Sequence, residues 1–132
     1  MNTKLGLAAA AALALAGSAV VAAPASAHDG GGGGEVRRGH CSGSTHWKVK
    51  AKHDDGRIEF EGEVDSNRNG QTWHWRIRHN GSLSAHGTGT TRAPSGSFEV
   101  ERRLVNLAGT DTMVFHARNA HSGEVCRGTI RL

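Results

Sequence analysis

Residues 46–65 read HWKVKAKHDDGRIEFEGEVD, and this stretch decides the fold class. Apolar and charged residues alternate on both sides of Asp54-Asp55-Gly56, as expected for β-strands with one buried face. Asp-Gly is a preferred pair for a two-residue type I′ turn, because both central residues of that turn have positive φ. The stretch therefore predicts a β-hairpin that turns at Asp55-Gly56.

The charges of this hairpin predict a single register. With the turn at Asp55-Gly56, each lysine of the first strand faces a glutamate of the second. A shift of one residue would break these pairs and turn the apolar side chains of one strand outward. The predicted partners are Lys52 with Glu59, Lys50 with Glu61, Lys48 with Glu63, Ala51 with Phe60, and Trp47 with Val64.

The rest of the chain continues the alternation, with Gly, Asn, Asp and Ser at the turns. The further segments are QTWHWRIRH (71–79), residues 82–92, SFEVERR (97–103), TDTMVFHARN (110–119) and EVCRGTIRL (124–132). After residue 27, no stretch keeps an apolar period of 3.6 residues over three turns. We predict an all-β fold, an antiparallel β-sandwich or small barrel of about seven strands with one disulfide.

A second hairpin is predicted around residues 79–81. His79-Asn80-Gly81 suits a three-residue loop, with Gly81 in the left-handed conformation of a G1 bulge. The register that follows from this loop sets Ile77 against Leu83, Trp75 against Ala85, and Trp73 against Gly87.

The first 27 residues have the features of a secretory signal peptide. Lys4 precedes an apolar run of small residues, and Ala25-Ser26-Ala27 is an A-x-A cleavage site. A membrane anchor is the alternative, disfavoured because the run is rich in Ala and no basic cluster follows. We expect residues 28–40 to be a Gly-rich disordered lead and residues 41–132 to be one β-sandwich domain. The protein is then secreted, with no membrane span after cleavage.

Cys41 and Cys126 are the only cysteines of the chain. In an exported protein such a pair predicts a disulfide, here between the beginning of the domain and its last strand.

The formal net charge of +4 falls to about +3 when Lys4 is removed with the signal peptide. Most lysines are matched by glutamates in the first hairpin, so the excess comes from arginines. We interpret these as solvated residues spread over the surface, with a patch for an anionic partner as the alternative.

Several segments resemble a family of short exported proteins of actinobacteria. They are DGRIEFEGEVDSNRNGQTW (55–73), RHNGS (78–82), TTRAPSGSFEV (90–100), NLAGTDTMVFHARN (106–119) and GEVC (123–126). The resemblance covers nearly all of residues 41–130. It implies a single secreted β-domain with one cysteine pair, and it implies no catalytic residues. This chain is unusually rich in histidine for the family, at positions 46, 53, 74, 79 and 86.

Three tryptophans are the first candidates for ligand binding. Trp47, Trp73 and Trp75 fall on the sides predicted to face the core, so core packing is the simplest interpretation. If the sheet is open on that side, Trp73 and Trp75 would form a platform for sugar rings, with Arg76 and Arg78 beside it. The candidate ligand-binding residues are therefore Trp73, Trp75, Arg76 and Arg78, and the loops at 67–70 and 104–109 are a second location.

Histidine supports an alternative function. His28 would become the amino terminus after cleavage, and such a residue can chelate copper through its amino nitrogen and imidazole. Extracellular copper binding through His28 and other histidines is thus a second hypothesis. The remaining histidines are interpreted as solvated or turn residues, because the chain contains no H-E-x-x-H and no C-x-x-C motif. We expect no cofactor.

The sequence contains no catalytic motif that we can identify. G-x-S-x-G is absent, and the carboxylates of the first hairpin face lysines rather than a cleft. We therefore predict a monomeric, non-enzymatic binding or structural module whose partner is an extracellular polysaccharide or protein. A secreted protease inhibitor is a further alternative. Nucleic acid is not expected, because the charge is mild and the protein is exported.

Overall fold

The computed structural model describes residues 33–132, which form eight strands and no helix. Accordingly, this part of the chain holds no helix of the length and hydropathy that crossing a bilayer requires. The strands are β1 (Glu35–His40), β2 (His46–Asp54), β3 (Arg57–Asp65), β4 (Thr72–His79), β5 (Ser82–Thr90), β6 (Ser97–Val105), β7 (Thr112–Asn119) and β8 (Val125–Arg131).

The strands form two antiparallel sheets that share one core. Sheet A has the order β1-β2-β3-β6, and sheet B has the order β5-β4-β7-β8. Every second residue of the central strands points inward and is buried, as the alternation predicts. The largest fully buried side chains come from both sheets and include Phe60, Ile58, Trp73, Phe115, Ile77 and Met113. The predicted antiparallel β-sandwich is confirmed.

The first hairpin has the predicted register at every position. Asp55 and Gly56 have φ of 48° and 70°, as a type I′ turn requires. Lys52 lies opposite Glu59, with Nζ 3.3 Å from the carboxylate. Lys48 lies opposite Glu63 at 3.5 Å. The turn and the cross-strand charges together are sufficient to determine this pairing.

Strand β1 corrects the prediction that residues 28–40 form a disordered lead. Glu35–His40 pair with β2 along their whole length. The strand is held at its end because Cys41 is in the disulfide and the ring of Trp47 packs on Gly39. Residues 28–32 lie outside the described part of the chain.

The second hairpin differs from its prediction by two residues. Its turn is the two-residue Asn80-Gly81, with φ of 47° and 85°. This turn and a bulge in β5 together place Trp75 opposite Gly87 and Trp73 opposite Gly89. The register shifts between Ile77 and Arg78, which accommodates one extra residue in β5. Asn-Gly meets the positive-φ requirement of a type I′ turn by itself, so a three-residue loop is not needed.

Aromatic rings set the distance between the sheets by packing on glycines of the opposite sheet. A Cβ at Gly62 of β3 would lie 2.8 Å from the ring of Phe115 on β7. A Cβ at Gly128 of β8 would lie 2.6 Å from the ring of Trp47 on β2. Neither contact would be tolerated, so glycine is needed for this close approach of the sheets.

The two sheets are also joined covalently at one end. The predicted disulfide is confirmed, and it connects Cys41, which follows β1, to Cys126 in β8. Beside it, the carboxylate of Glu124 accepts hydrogen bonds from the backbone N–H groups of Gly43 (2.8 Å) and Thr45 (3.0 Å), and from Thr45 Oγ1 (2.6 Å). Glu124 thereby satisfies donors that the tight β1–β2 loop would otherwise leave unpaired.

At the other end of sheet B, a buried side-chain contact joins His79, the last residue of β4, to Asp111, which precedes β7. His79 Nε2 lies 2.6 Å from Asp111 Oδ1, and both side chains are almost fully buried. The backbone of Asp111 exchanges two hydrogen bonds with Leu132, which fixes the end of the chain. His79 is therefore a structural residue, and its interpretation as a solvated or turn histidine is wrong.

Candidate anion-binding face

The four strands of sheet B contain no aspartate or glutamate, although they contain many basic residues. Their outward-facing side chains form one continuous surface, because odd and even positions alternate between core and solvent. We call this surface the basic face. Its members are His74, Arg76, Arg78, His86, His116, Arg118, Arg127 and Arg131.

The strand register brings these residues together from distant parts of the chain. Arg76 on β4 lies between His86 on β5 and His116 on β7. His116 in turn faces Arg127 on β8. Neighbouring strands are about 4.8 Å apart, so this row places four basic or titratable groups within about 15 Å. In the adjacent row, His74 faces Arg118.

The arginines of the basic face are exposed and lack acidic partners. No carboxylate of residues 33–132 lies within 4.0 Å of any of them. Only Arg78 makes a side-chain hydrogen bond, from Nη1 to the carbonyl oxygen of Gly81 at 3.3 Å. Sheet A shows the opposite arrangement, since its lysines stand beside glutamates. The strands of sheet B therefore carry unbalanced positive charge, whereas basic and acidic residues are balanced in the strands of sheet A.

The positive electrostatic potential of the basic face affects the pKa of His116. Its pKa is lowered, first by burial and then by the positive charges of Arg76, Arg127 and Arg118. No acidic group raises the pKa of His116 in compensation. An anion bound here would remove this repulsion, so it would interact with the arginines and also favour protonation of His116.

A depression in the basic face is suited to one anionic group. It has a volume of about 190 Å³, and Thr112, Val114 and His116 are among the residues that line it. Arg76, Arg78 and Arg127 all border it. Guanidinium groups bind carboxylate, sulfate and phosphate oxygens through paired N–H donors, and three of these groups border the depression.

The predicted tryptophan platform is wrong. Trp73 is fully buried and Trp75 is 6% exposed, because the face of β4 that carries them is covered by sheet A. Trp75 only borders a cleft of about 410 Å³ between β5 and β6, where the guanidinium of Arg102 lies 4.9 Å from the centre of its ring. Arg76 and Arg78 point to the other side of the sheet, so the four candidate residues do not form one site.

The two loops that were the second predicted location lie at opposite ends of the β3–β6 pair, because Asp65 faces Ser97 and Arg57 faces Val105. Residues 67–70 are exposed, whereas the segment 104–109 includes buried Leu104 and half-exposed Leu107. His28 lies outside the described residues. Within residues 33–132, no three His, Cys, Asp or Glu side chains converge in a way that could hold a metal ion.

Arg118, Arg127, Arg131 and His116 belong to the site but were not among the residues that the sequence singled out. Their grouping depends on which strands are neighbours, and the sequence does not reveal this. One signal was present: residues 72–79, 82–90, 112–119 and 125–131 all lack acidic residues, while every strand of sheet A contains at least one.

No protein-family model, curated protein or solved structure matches this chain. Its class is therefore defined by the fold and the surface alone. It is an antiparallel β-sandwich with one disulfide between its sheets and a basic face on sheet B.

Proposed function

We propose that this protein is a secreted, non-catalytic module that binds an anionic polysaccharide on its basic face. The observation that carries the proposal is a group of exposed arginines without ion-pair partners, on a sheet whose strands lack acidic residues. Export agrees with the signal-peptide features of residues 1–27 and with the disulfide, which persists in oxidising compartments. Monomeric state and membership of the actinobacterial family stay predictions.

Charge and rigidity together favour an extended anionic ligand. The backbone of one sheet fixes the spacing of the arginines on neighbouring strands, so a ligand has to order their side chains but not the main chain that carries them. When several arginines contact charged groups of one polymer, their contributions to affinity combine, and salt screens each of these contacts. We therefore expect affinity that depends on polymer length and falls as ionic strength rises.

The surface favours a polysaccharide over a nucleic acid. Single-stranded nucleic acids bind through aromatic side chains on which the bases stack. The basic face presents no Trp or Phe, since Trp73, Trp75 and Phe115 point into the core. Duplex DNA is read by an element that enters a groove, and a flat sheet face supplies none. Anionic sugars need only the guanidinium groups.

Binding by purified residues 28–132 tests the proposal. The probes are alginate for carboxylate, dextran sulfate for sulfate, neutral dextran, and a single-stranded oligonucleotide. The double variant Arg76→Gln/Arg127→Gln should weaken binding of the charged polysaccharides at least about tenfold, because each lost charge-assisted contact contributes about 1 kcal/mol or more. The control Arg38→Gln/Arg57→Gln removes the same charge from exposed positions of sheet A.

The control variant should bind within about twofold of the unaltered protein, since long-range charge alone is screened beyond roughly 10 Å. Equal losses in both double variants would mean that only net charge matters, and this would contradict a site on sheet B. Tighter binding of the oligonucleotide than of either charged polysaccharide would also contradict the proposal. Protease inhibition, the other predicted alternative, stays a prediction.

A further inference from the structure

We propose that His40 and His46 form a binding site for a divalent transition-metal ion at the end of sheet A. The two residues lie directly opposite each other on β1 and β2. Their ring centroids are 4.7 Å apart and their planes are inclined by 56°. Both side chains are exposed, so a hydrated ion can reach them. This site is on the other sheet from the basic face and does not depend on the function proposed above.

The separation of the rings fits two bonds to one metal ion. A ligating imidazole nitrogen lies about 2.0–2.1 Å from the ion, which puts the ring centroid about 3.2 Å from it. Two centroids 4.7 Å apart then subtend about 95° at the ion. Tetrahedral, square-planar and octahedral sites all use angles near this value. The backbone therefore already holds the rings at a suitable distance.

The positions of both histidines are fixed by their surroundings. Cys41 N donates to Thr45 O at 2.8 Å, which makes His40 and His46 the adjacent non-hydrogen-bonded pair, where side chains approach most closely. Trp47 Nε1 donates to the carbonyl oxygen of His40 at 3.2 Å, and the disulfide holds Cys41. This end of β1 is therefore braced on both sides, which lowers the ordering cost of chelation.

Asp65 is in position to supply a third ligand. It lies opposite His46 on β3, so His40, His46 and Asp65 form one row across three strands. One carboxylate oxygen of Asp65 accepts the N–H of Asn67 at 3.1 Å, and the other is available. The three groups do not converge in the present side-chain conformations. The two histidines are therefore the first ligands of the site. Water molecules, and Asp65 after a change of its side-chain rotamer, would complete the coordination of the ion.

The charges around the site tolerate a cation. Lys48 and Arg38 occupy the next row, and Lys48 Nζ is 3.5 Å from Glu63 and 3.8 Å from Glu61. Arg38, Lys48 and Glu63 line an open depression of about 540 Å³ together with the two histidines. This depression leaves room for the water ligands of an ion. Imidazole favours Cu²⁺, Ni²⁺ and Zn²⁺ over Mg²⁺ and Ca²⁺.

The test follows the histidine signals of residues 28–132 by NMR during addition of Ni²⁺ alone, with isothermal titration calorimetry in parallel. A site-resolved readout is needed because the amino terminus could chelate metal separately. Signals of His40 and His46 should broaden first. His40→Gln and His46→Gln should each weaken binding at this site about tenfold or more, because one of two protein nitrogens is lost. His53→Gln is the control, an exposed histidine on the same strand that faces Ile58.

All of these variants change exposed residues, and their unfolding temperatures should match that of the unaltered protein. Equal broadening of all histidine signals, or unchanged Ni²⁺ binding in His40→Gln and His46→Gln, would overturn the assignment.

Discussion

Arg76 on β4 and His116 on β7 lie directly opposite each other on the outer face of sheet B. The pKa of His116 is lowered by its partial burial and then by the neighbouring guanidinium groups, of which Arg76 has the largest effect. Such a pair, with no carboxylate nearby, is electrostatically unfavourable in the free protein. An anionic ligand, as in the proposed function, would offset this repulsion by interacting favourably with both side chains.

The first prediction concerns His116. Its pKa should rise when dextran sulfate is added, because the bound anion stabilises the imidazolium and offsets the charges of Arg76, Arg127 and Arg118. The measurement is an NMR pH titration with and without the polymer. Arg127→Gln should raise the pKa in the free protein and reduce the further rise on binding. A His116 titration that is the same with and without polymer would contradict anion binding at this position.

The second prediction concerns Glu99 on sheet A. Its pKa is raised, first by a hydrogen bond with the Glu61 side chain, then by burial and by the charges of Glu61 and Glu63, while Lys48 acts in the opposite direction. A raised carboxyl pKa stabilises the folded protein at low pH, and this contribution is lost as the pH rises through the folded-state pKa. Glu99→Gln should therefore unfold at higher urea than the unaltered protein at pH 7.5, and at a similar concentration at pH 4.

Glu59→Gln is the control for this prediction. Glu59 lies 3.3 Å from Lys52, so its removal takes away a favourable pair and should lower stability slightly at pH 7.5, by less than about 1 kcal/mol. If Glu99→Gln destabilises the protein at pH 7.5 as Glu59→Gln does, the repulsion among Glu61, Glu63 and Glu99 has been assigned wrongly.

The third prediction tests the packing between the sheets. Gly62→Ala should lower the free energy of unfolding by about 1–3 kcal/mol, because the new methyl group would overlap the ring of Phe115. Gly33→Ala adds a methyl group where no atom lies within 4 Å and should have almost no effect. Urea denaturation of both variants makes the comparison. Similar stabilities for the two would show that the sheets can move apart without cost.

The fourth prediction concerns the buried pair of His79 and Asp111. Asp111→Ala should destabilise the fold by about 1–3 kcal/mol, because it leaves the buried side chain of His79 without its hydrogen-bond partner. Asp54→Ala is the control, since its contact with Arg103 at 3.6 Å is exposed and contributes less than about 1 kcal/mol. Thermal unfolding distinguishes the two outcomes. A small effect of Asp111→Ala would mean that His79 finds water or another acceptor.

Local chemistry made some of this structure predictable from the sequence. Asp55-Gly56 determines the first turn, and the facing Lys and Glu residues determine its register. The second hairpin was harder, because loops of two and three residues are both compatible with His79-Asn80-Gly81. The two registers differ by two residues, so both keep Trp73 and Trp75 on the same face. Side-chain alternation therefore cannot distinguish them.

An arginine patch was an open alternative from the sequence, but its position on sheet B could not be predicted, because it depends on contacts between distant segments. Arg76 on β4 and Arg127 on β8 are two strands apart in sheet B, although β5, β6 and β7 lie between them in the chain. The burial of Trp73 depends likewise on sheet A, which covers the inner side of β4. Alternation indicates which side chains share a face. It does not indicate what lies opposite that face or which strands are adjacent.

The most direct test of the anion-binding account is a chemical-shift map of ¹⁵N-labelled residues 28–132 during titration with a short alginate or sulfated oligosaccharide. If an anion binds at the basic face, the largest changes occur at the outward-facing positions of β4, β7 and β8, centred on Arg76, His116 and Arg127, and they diminish as salt is added. Changes centred on sheet A, or on the cleft beside Trp75 and Arg102, would contradict it.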